Sequence, residues 1–500
     1  RQMALGAIQD DSLIYRMGSD IGQQLRRLGV HINFAPVVDV NNNPDNPVIG
    51  SRSFGSDPRR VARKGIAYMN GLQDEGVLSV AKHFPGHGDT DQDSHKVLPV
   101  IPHDSTRLDS IELYPFRRLV QNGVGGVMVA HLNVPAYMDD PNQPATLSSR
   151  MINGVLKEQM DFKGLVFTDA LNMRGITNHY SPGRIEAQAL KAGNDVLLYP
   201  QDAARAIEYL YKQVKLGDLS RQTIEQSCRK VLAFKYWAGL DQLPADTNGG
   251  MKTGPVEKAG LTGDLNKSAY QVLRQELVSG SLTLTGNSSG LLPFRRPDTL
   301  NIATVALGSD STTAFQDMID RYGAADHYHY TTGDDLARFS EQLQEYDLVV
   351  ASVHRTNRMP SRRYGVRDEY IRVSEQITRQ TKMVLVHFGN PYALGHFPQL
   401  QHYEAALVGY NDQPVTQRKA AQALFGAIDL QGRLPVDVGG PLQVGTGVST
   451  GRLNRLSYGL PGSVGMCEAA PTIVVSRPRS RSWLVKTTDI TAVPIEPAVC

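Results

Sequence analysis

The chain has 500 residues, 41% hydrophobic and 20% charged, a composition that excludes a disordered or fibrous protein and asks for more than one core. With 52 basic against 50 acidic side chains the formal charge is +2, which gives no electrostatic case for nucleic acid or an acidic membrane surface. Three cysteines (Cys228, Cys467, Cys500) provide neither a disulfide framework nor metal-ligand spacing, and no apolar run reaches the roughly 18 residues of a membrane helix.

The first half alternates apolar runs with amphipathic stretches. The runs are 31–40 (HINFAPVVDV), 77–84 (VLSVAKHF), 125–132 (GGVMVAHL), 164–171 (GLVFTDAL) and 195–199 (DVLLY). Helices are expected at 15–28, 58–74, 107–121, 150–160 and 203–215. Strands that are apolar along their length and separated by helices predict a parallel sheet covered on both faces. A (β/α)8 barrel and a doubly wound sheet both satisfy that pattern. Asp39, Lys82, His83, His131 and Asp169 fall at or just past the C-terminal ends of different runs, where barrel enzymes collect reactive groups. An open sheet would concentrate them at one switch point instead. A (β/α)8-type TIM barrel over residues 1–240 is therefore expected. About five runs are found where the barrel needs eight, and its first strands are expected to precede Arg1.

Residues 241–265, rich in Gly, Asp and Thr, are expected to form a linker. A second α/β pattern occupies 266–445, with strands at 282–285, 301–307, 347–353, 383–387 and 405–409. Helices at 267–277, 313–322, 368–380 and 415–425 accompany them. The expectation is an α/β sandwich domain with no Gly-rich phosphate loop and no clustered His or Cys. Residues 446–500 are expected to be an irregular tail.

The most informative segment is 82–99, KHFPGHGDTDQDSHKVLP, which begins as a strand ends. Its glycines permit backbone angles closed to other residues, and a loop of this length after a strand is commonly functional. Asp93 and His95 stand two residues apart, so in extended backbone their side chains share a face. A carboxylate beside an imidazole selects its tautomer and raises its basicity, making a group that gives and takes protons near neutral pH. His83, His87 and His95 are also a possible metal-ligand set, and a merely solvated polar loop is the plain alternative. Asp169, ending the run VFTD, is either a helix-capping residue or a nucleophile.

KHFPGHGDTxxDSHxxLP resembles the signature of bacterial family 3 N-acetyl-β-D-glucosaminidases. Residues 32–55 (INFAPVVDVNNNPDNPVIGSRSFG), AHL at 130–132 and FTDALNM at 167–173 are similar to the same family in the same order. LLPF at 291–294 and GRLPV at 432–436 resemble its second domain. The resemblance implies a retaining double displacement, with Asp169 as nucleophile and His95 as an unusual acid/base paired to Asp93. It assigns Lys82, His83 and Arg52 to sugar binding; His131 is expected to line the same substrate pocket or to be structural, and Asp39 to order its own loop. No cofactor and no metal are expected. The implied substrate is an oligosaccharide or muropeptide ending in β-linked N-acetylglucosamine, and the implied setting is a bacterial periplasm or cell envelope. The family's early Asp-Gln-Glu-Gly-Gly type segment has no counterpart before Asp39. Two rivals stay open: a phosphorylase, because an imidazole repels phosphate less than a carboxylate does, and an inert carbohydrate-binding remnant.

Overall fold

The computed structural model describes residues 1–92, 97–138, 140, 142–242 and 256–460. Two sheets organise it. The first is four-stranded and parallel throughout, with strands β1 (Ile32–Asn33), β2 (Leu78–Phe84), β3 (Gly126–Val129) and β4 (Leu165–Thr168) joined in chain order. Single parallel bridges, Val37 to Lys82 and Phe167 to Val196, extend it. Among the described residues this sheet does not close into a barrel.

Alternation along the strands explains the two apolar layers. Leu78, Val80, Met128, Leu165 and Phe167 gather on one face, whereas Ala81, Val127, Val129 and Val166 pack into the larger core on the other. The helix Pro58–Asp74 lies against that larger core through Val61, Met69 and Leu72. Its start is set by Asp57, whose carboxylate accepts the Arg60 amide, and by Pro58 in the first turn. The helix Ser12–Arg27 packs beside it.

Residues 107–121, expected as one helix, are two: Ser105–Ser110 and Tyr114–Gln121. Pro115 sits in the first turn of the second piece, where its missing N–H costs nothing but a continuous helix could not pass. The run 31–40 is likewise a strand only at Ile32–Asn33, because Pro36 interrupts the ladder and the chain continues irregularly to Asp39.

The second sheet has six strands in the order β5-β10-β9-β8-β6-β7, where β5 is Thr283–Asn287, β6 Ile302–Leu307, β7 Asp326–Tyr330, β8 Leu348–Val353, β9 Lys382–His387 and β10 Ala405–Val408. All pairs are parallel except β5 with β10. Strand β7 was missed in the sequence because DHYHY carries no apolar run. Helices Ala314–Ile319 and Pro414–Leu424 cover the face bearing Leu348, Val350 and Val384, and Asp368–Thr378 covers the face bearing Val349, Ala351 and Leu385.

Within the expected linker, Leu261–Leu265 is a short helix, and Asp264 pairs with Arg27 at 2.7 Å. Within the expected tail, residues 446–460 dock on the second sheet's helices: Thr450 bridges to Leu430, and Tyr458 packs edge-on against Tyr322. The two sheets' units meet through backbone bonds such as Ser56 N to Pro435 O at 3.0 Å, and through Tyr392 Oη donating to Asn41 O at 3.1 Å.

Candidate active site

The loops beyond β1 to β4 bring together residues far apart in sequence. Asp39 follows the Val37 bridge, Lys82 and His83 lie near the end of β2, His131 stands just past β3, and Asp169 stands just past β4. The parallel register dictates this convergence, since every strand ends on the same edge.

Asp39 is wholly buried and is the organiser. One carboxylate oxygen accepts the backbone amides of His83 at 3.1 Å and His87 at 2.7 Å, and the other faces His83 Nδ1 at 2.7 Å. The expectation that Asp39 orders only its own loop is thus corrected: its partners lie 44 and 48 residues away. Burial opposes its charge, but His83 and the other donors outweigh burial and hold the carboxyl below the usual range.

Arg52, ending a short 3-10 turn over Gly50–Arg52, places a guanidinium nitrogen 3.2 Å from His83 Nε2. A guanidinium can only donate, so Nε2 accepts and the ring proton resides on Nδ1, pointing at Asp39. Asn46 fastens the Arg52 loop to the β2 loop by donating to the carbonyls of His87 at 2.8 Å and Gly88 at 3.2 Å. Gly88 is required there, because a Cβ would fall 1.8 Å from the Val40 carbonyl oxygen. His83 and His87, weighed as metal ligands, commit their Nδ1 atoms to Asp39 and to Thr90 Oγ1, with ring centroids 6.2 Å apart. Burial pushes His87 down to about 4, so it is neutral at pH 7.

Asp169 is half-buried, and one of its oxygens accepts the Ala170 amide at 2.8 Å. Burial works against its ionisation, yet His83, His131, that amide and Lys82 together hold it below the usual carboxylate range. Lys82, half-buried in the same site, is lowered by burial and by Arg52, while Asp169 and Asp39 act the other way. The arrangement is an ionised carboxylate beside a row of donors.

His131, expected to line the substrate pocket or to be structural, has no exposed surface. Its Nε2 donates to the Ala170 carbonyl at 3.0 Å and its Nδ1 meets Thr146 Oγ1 at 2.7 Å, which braces the backbone next to Asp169. Asp93 and His95 lie outside the described residues.

Sequence reasoning missed a cluster at the root of the β2 loop. Asp89 faces His103 Nε2 at 2.7 Å, and Arg107 reaches Asp89 at 3.3 Å and the buried Glu112 at 3.2 Å. The ligand-capable atoms of Asp89, His103 and Glu112 lie within 4.8 Å of one another, but the guanidinium already supplies the positive charge between the two carboxylates. No local motif signals these pairs.

The expectation of no clustered histidines in the second unit is also corrected. His354 follows β8 and His387 ends β9, close enough for both to interact with Asp412. His354 Nδ1 meets Asp412 at 2.9 Å and its Nε2 meets Ser352 Oγ at 2.9 Å. Among the described residues no helix is long and apolar enough to cross a membrane.

Comparison with known proteins places this geometry in a family. Residues 1–234 match the model of the glycosyl hydrolase family 3 N terminal domain. Beta-hexosaminidase A of Pseudoalteromonas piscicida is 32% identical over 316 residues, which are 59% of this chain and 50% of that protein. The beta-hexosaminidase of Neisseria meningitidis serogroup C is 32% identical over 268 residues, 50% of this chain and 72% of that one. A solved family 3 beta-N-acetylglucosaminidase from Paenibacillus sp. superposes with a TM-score of 0.68 at 31% identity, covering 89% of this chain and 82% of that one. The chain spans about half the length of the Pseudoalteromonas relative. This protein belongs to glycosyl hydrolase family 3.

Proposed function

We propose that the chain is a retaining β-N-acetylhexosaminidase that releases terminal β-linked N-acetylglucosamine from an oligosaccharide or muropeptide. The four-stranded sheet is read as an arc of a (β/α)8-type barrel and the second unit as its companion sandwich. The observation that carries the reading is Asp169: a half-buried carboxylate kept ionised at a strand end and flanked by Lys82 and His83, the latter bonded to Arg52.

In this reading the Asp169 carboxylate attacks the anomeric carbon, and the bond to the leaving oxygen breaks as His95 protonates that oxygen. Water then attacks the glycosyl ester while His95, oriented by Asp93, takes back a proton, and Asp169 is released as carboxylate. Lys82 and Arg52 supply donors to the sugar hydroxyls, and Asp39 holds His83 in the tautomer that faces them. His131 sets the backbone of Asp169.

The test is turnover of an aryl N-acetyl-β-glucosaminide with and without inorganic phosphate. N-acetylglucosamine 1-phosphate as the product would replace hydrolysis by phosphorolysis in this scheme. Substituting His95 should cost steeply with natural sugars and less with the aryl leaving group, which needs little protonation. Equal losses on both substrates would remove His95 from the mechanism, and no effect of Asp169→Asn would leave only an inert binding protein.

A further inference from the structure

Beyond the strand ends of the second sheet lies a polar cleft that takes no part in the chemistry proposed above. Strand order reverses at β6, with β7 on one side and β8 on the other. The loops leaving β6 and β8 therefore part at that point, which is where open parallel sheets receive ligands. A cavity of about 560 Å³ occupies it, bounded by Gly308 and Asp310 after β6, Thr331 and Thr332 after β7, and Arg355 after β8.

The cleft holds one arginine whose charge has no partner among the described residues. Arg355, Arg362 and Arg367 line it against one carboxylate, Asp310. Arg355 is held by Asp310 at 2.8 Å, and Arg367 donates to Thr332 Oγ1 while standing 5.9 Å from the centroid of the Tyr370 ring. The Arg362 guanidinium has no hydrogen-bond or ion-pair partner among the described residues. Glu369 accepts from the same Thr332 Oγ1 at 3.2 Å and Asp334 from Thr331 Oγ1 at 3.2 Å, so among the described residues Arg362 is the cation left without a partner, and guanidinium forks suit the oxygens of phosphate and carboxylate.

A second, independent feature points into the same space. Tyr370 is only 4% exposed, yet its hydroxyl has no partner among the described residues. The oxygen itself is not sealed from solvent, so it keeps access to the cleft and can bond what enters there. Gly308 leaves it room: at φ +89° its position favours glycine, and a Cβ there would fall 2.8 Å from the Tyr370 oxygen. The surrounding loop is held in place at cost. Arg355, Arg363 and Tyr364 all adopt positive φ (51°, 47° and 56°), and strain of this kind in side-chain-bearing residues concentrates at binding sites. Asp412 pins the Arg355 amide at 2.7 Å, and Tyr364 anchors to the Pro44 carbonyl, so the arginines stand on a fixed backbone.

We propose that this cleft binds a small oxyanion-bearing molecule, a phosphate monoester or a carboxylate, received by Arg362, Arg367 and the Tyr370 hydroxyl. Titration calorimetry on the full chain tests it, with inorganic phosphate, a hexose 6-phosphate and citrate as probes and chloride at matched ionic strength as the control. At least one probe should bind saturably, and the phosphates and citrate should differ, which identifies the oxyanion. Arg362→Gln should weaken that binding by roughly tenfold. Tyr370→Phe should weaken it by about fivefold. The thermal midpoints of both variants without ligand should stay near that of the parent. The proposal is overturned if none of the three probes binds, if chloride does as well, or if both folded variants bind as tightly as the parent.

Discussion

Two edges of the same molecule carry a buried histidine paired with an aspartate, and they do different things. At the first sheet Asp39 holds His83 Nδ1, leaving Nε2 directed at Arg52 in a pocket shared with Lys82 and the half-buried Asp169. At the second sheet Asp412 holds His354 Nδ1, and Nε2 is capped by Ser352. Aspartate, histidine and serine in this order mimic a nucleophilic triad, but Ser352 lies within β8 with no exposed surface, so no substrate can reach it. The pair by itself is not a site. What the far ring nitrogen faces, and whether solvent reaches it, decides between chemistry and structure.

The comparison breaks most visibly at Asp169. Asp169→Asn should lower turnover of an aryl N-acetyl-β-glucosaminide on the order of 10⁴-fold with the thermal midpoint preserved, because only the nucleophile is lost. A smaller loss, with midpoint unchanged, would take Asp169 out of the reacting pair.

Asp39→Asn comes next. It removes the acceptor that sets the His83 tautomer, and kcat/KM should fall on the order of 10²-fold as the donors shift. The matching change at the other edge, Asp412→Asn, should leave kcat/KM untouched and cost stability instead. It weakens the bonds to His354 and the Arg355 amide, and a loss of about 1–3 kcal/mol in a denaturant titration is expected. If Asp412→Asn impaired turnover as much as Asp39→Asn, the distinction drawn here would collapse.

Acid should act on both edges at once. His87 near the first edge and His387 at the second are each pushed down by burial to about 4 from an ordinary 6.5. The unfolded chain therefore takes up protons first as pH falls. Stability is complete above about pH 6.5 and declines between there and pH 4, on the order of 3 kcal/mol for each residue. Replacing His387 with glutamine should flatten that decline without altering the pH profile of turnover. Asp169, held below the usual carboxylate range, should stay ionised throughout this window, so the acid limb from the nucleophile should lie below it.

Much of this was legible before any coordinates. Apolar runs at 77–84, 125–132 and 164–171 became β2, β3 and β4, and the helix expected at 58–74 is Pro58–Asp74. These segments are strongly patterned, and pattern is a local property of the chain. The gathering of Lys82, His83 and Asp169 followed from strand ends alone, since a parallel sheet brings all its C-terminal ends to one edge. Strand β7 escaped because its residues alternate polar and aromatic without an apolar run, and its place beside β6 is fixed by neighbours rather than by composition.

The chain's own order of residues determined the two α/β units, the polar loop after β2 and the carboxylate at the end of β4, because periodicity, glycine placement and strand-end position are written residue by residue. Only the tertiary structure decided the partners: that Asp39 serves His83 and His87, that His131 braces Ala170, and that His354 ends on a buried serine. Those bonds join residues from different strands and loops. Their energies depend on burial and distance, which no local stretch of sequence contains.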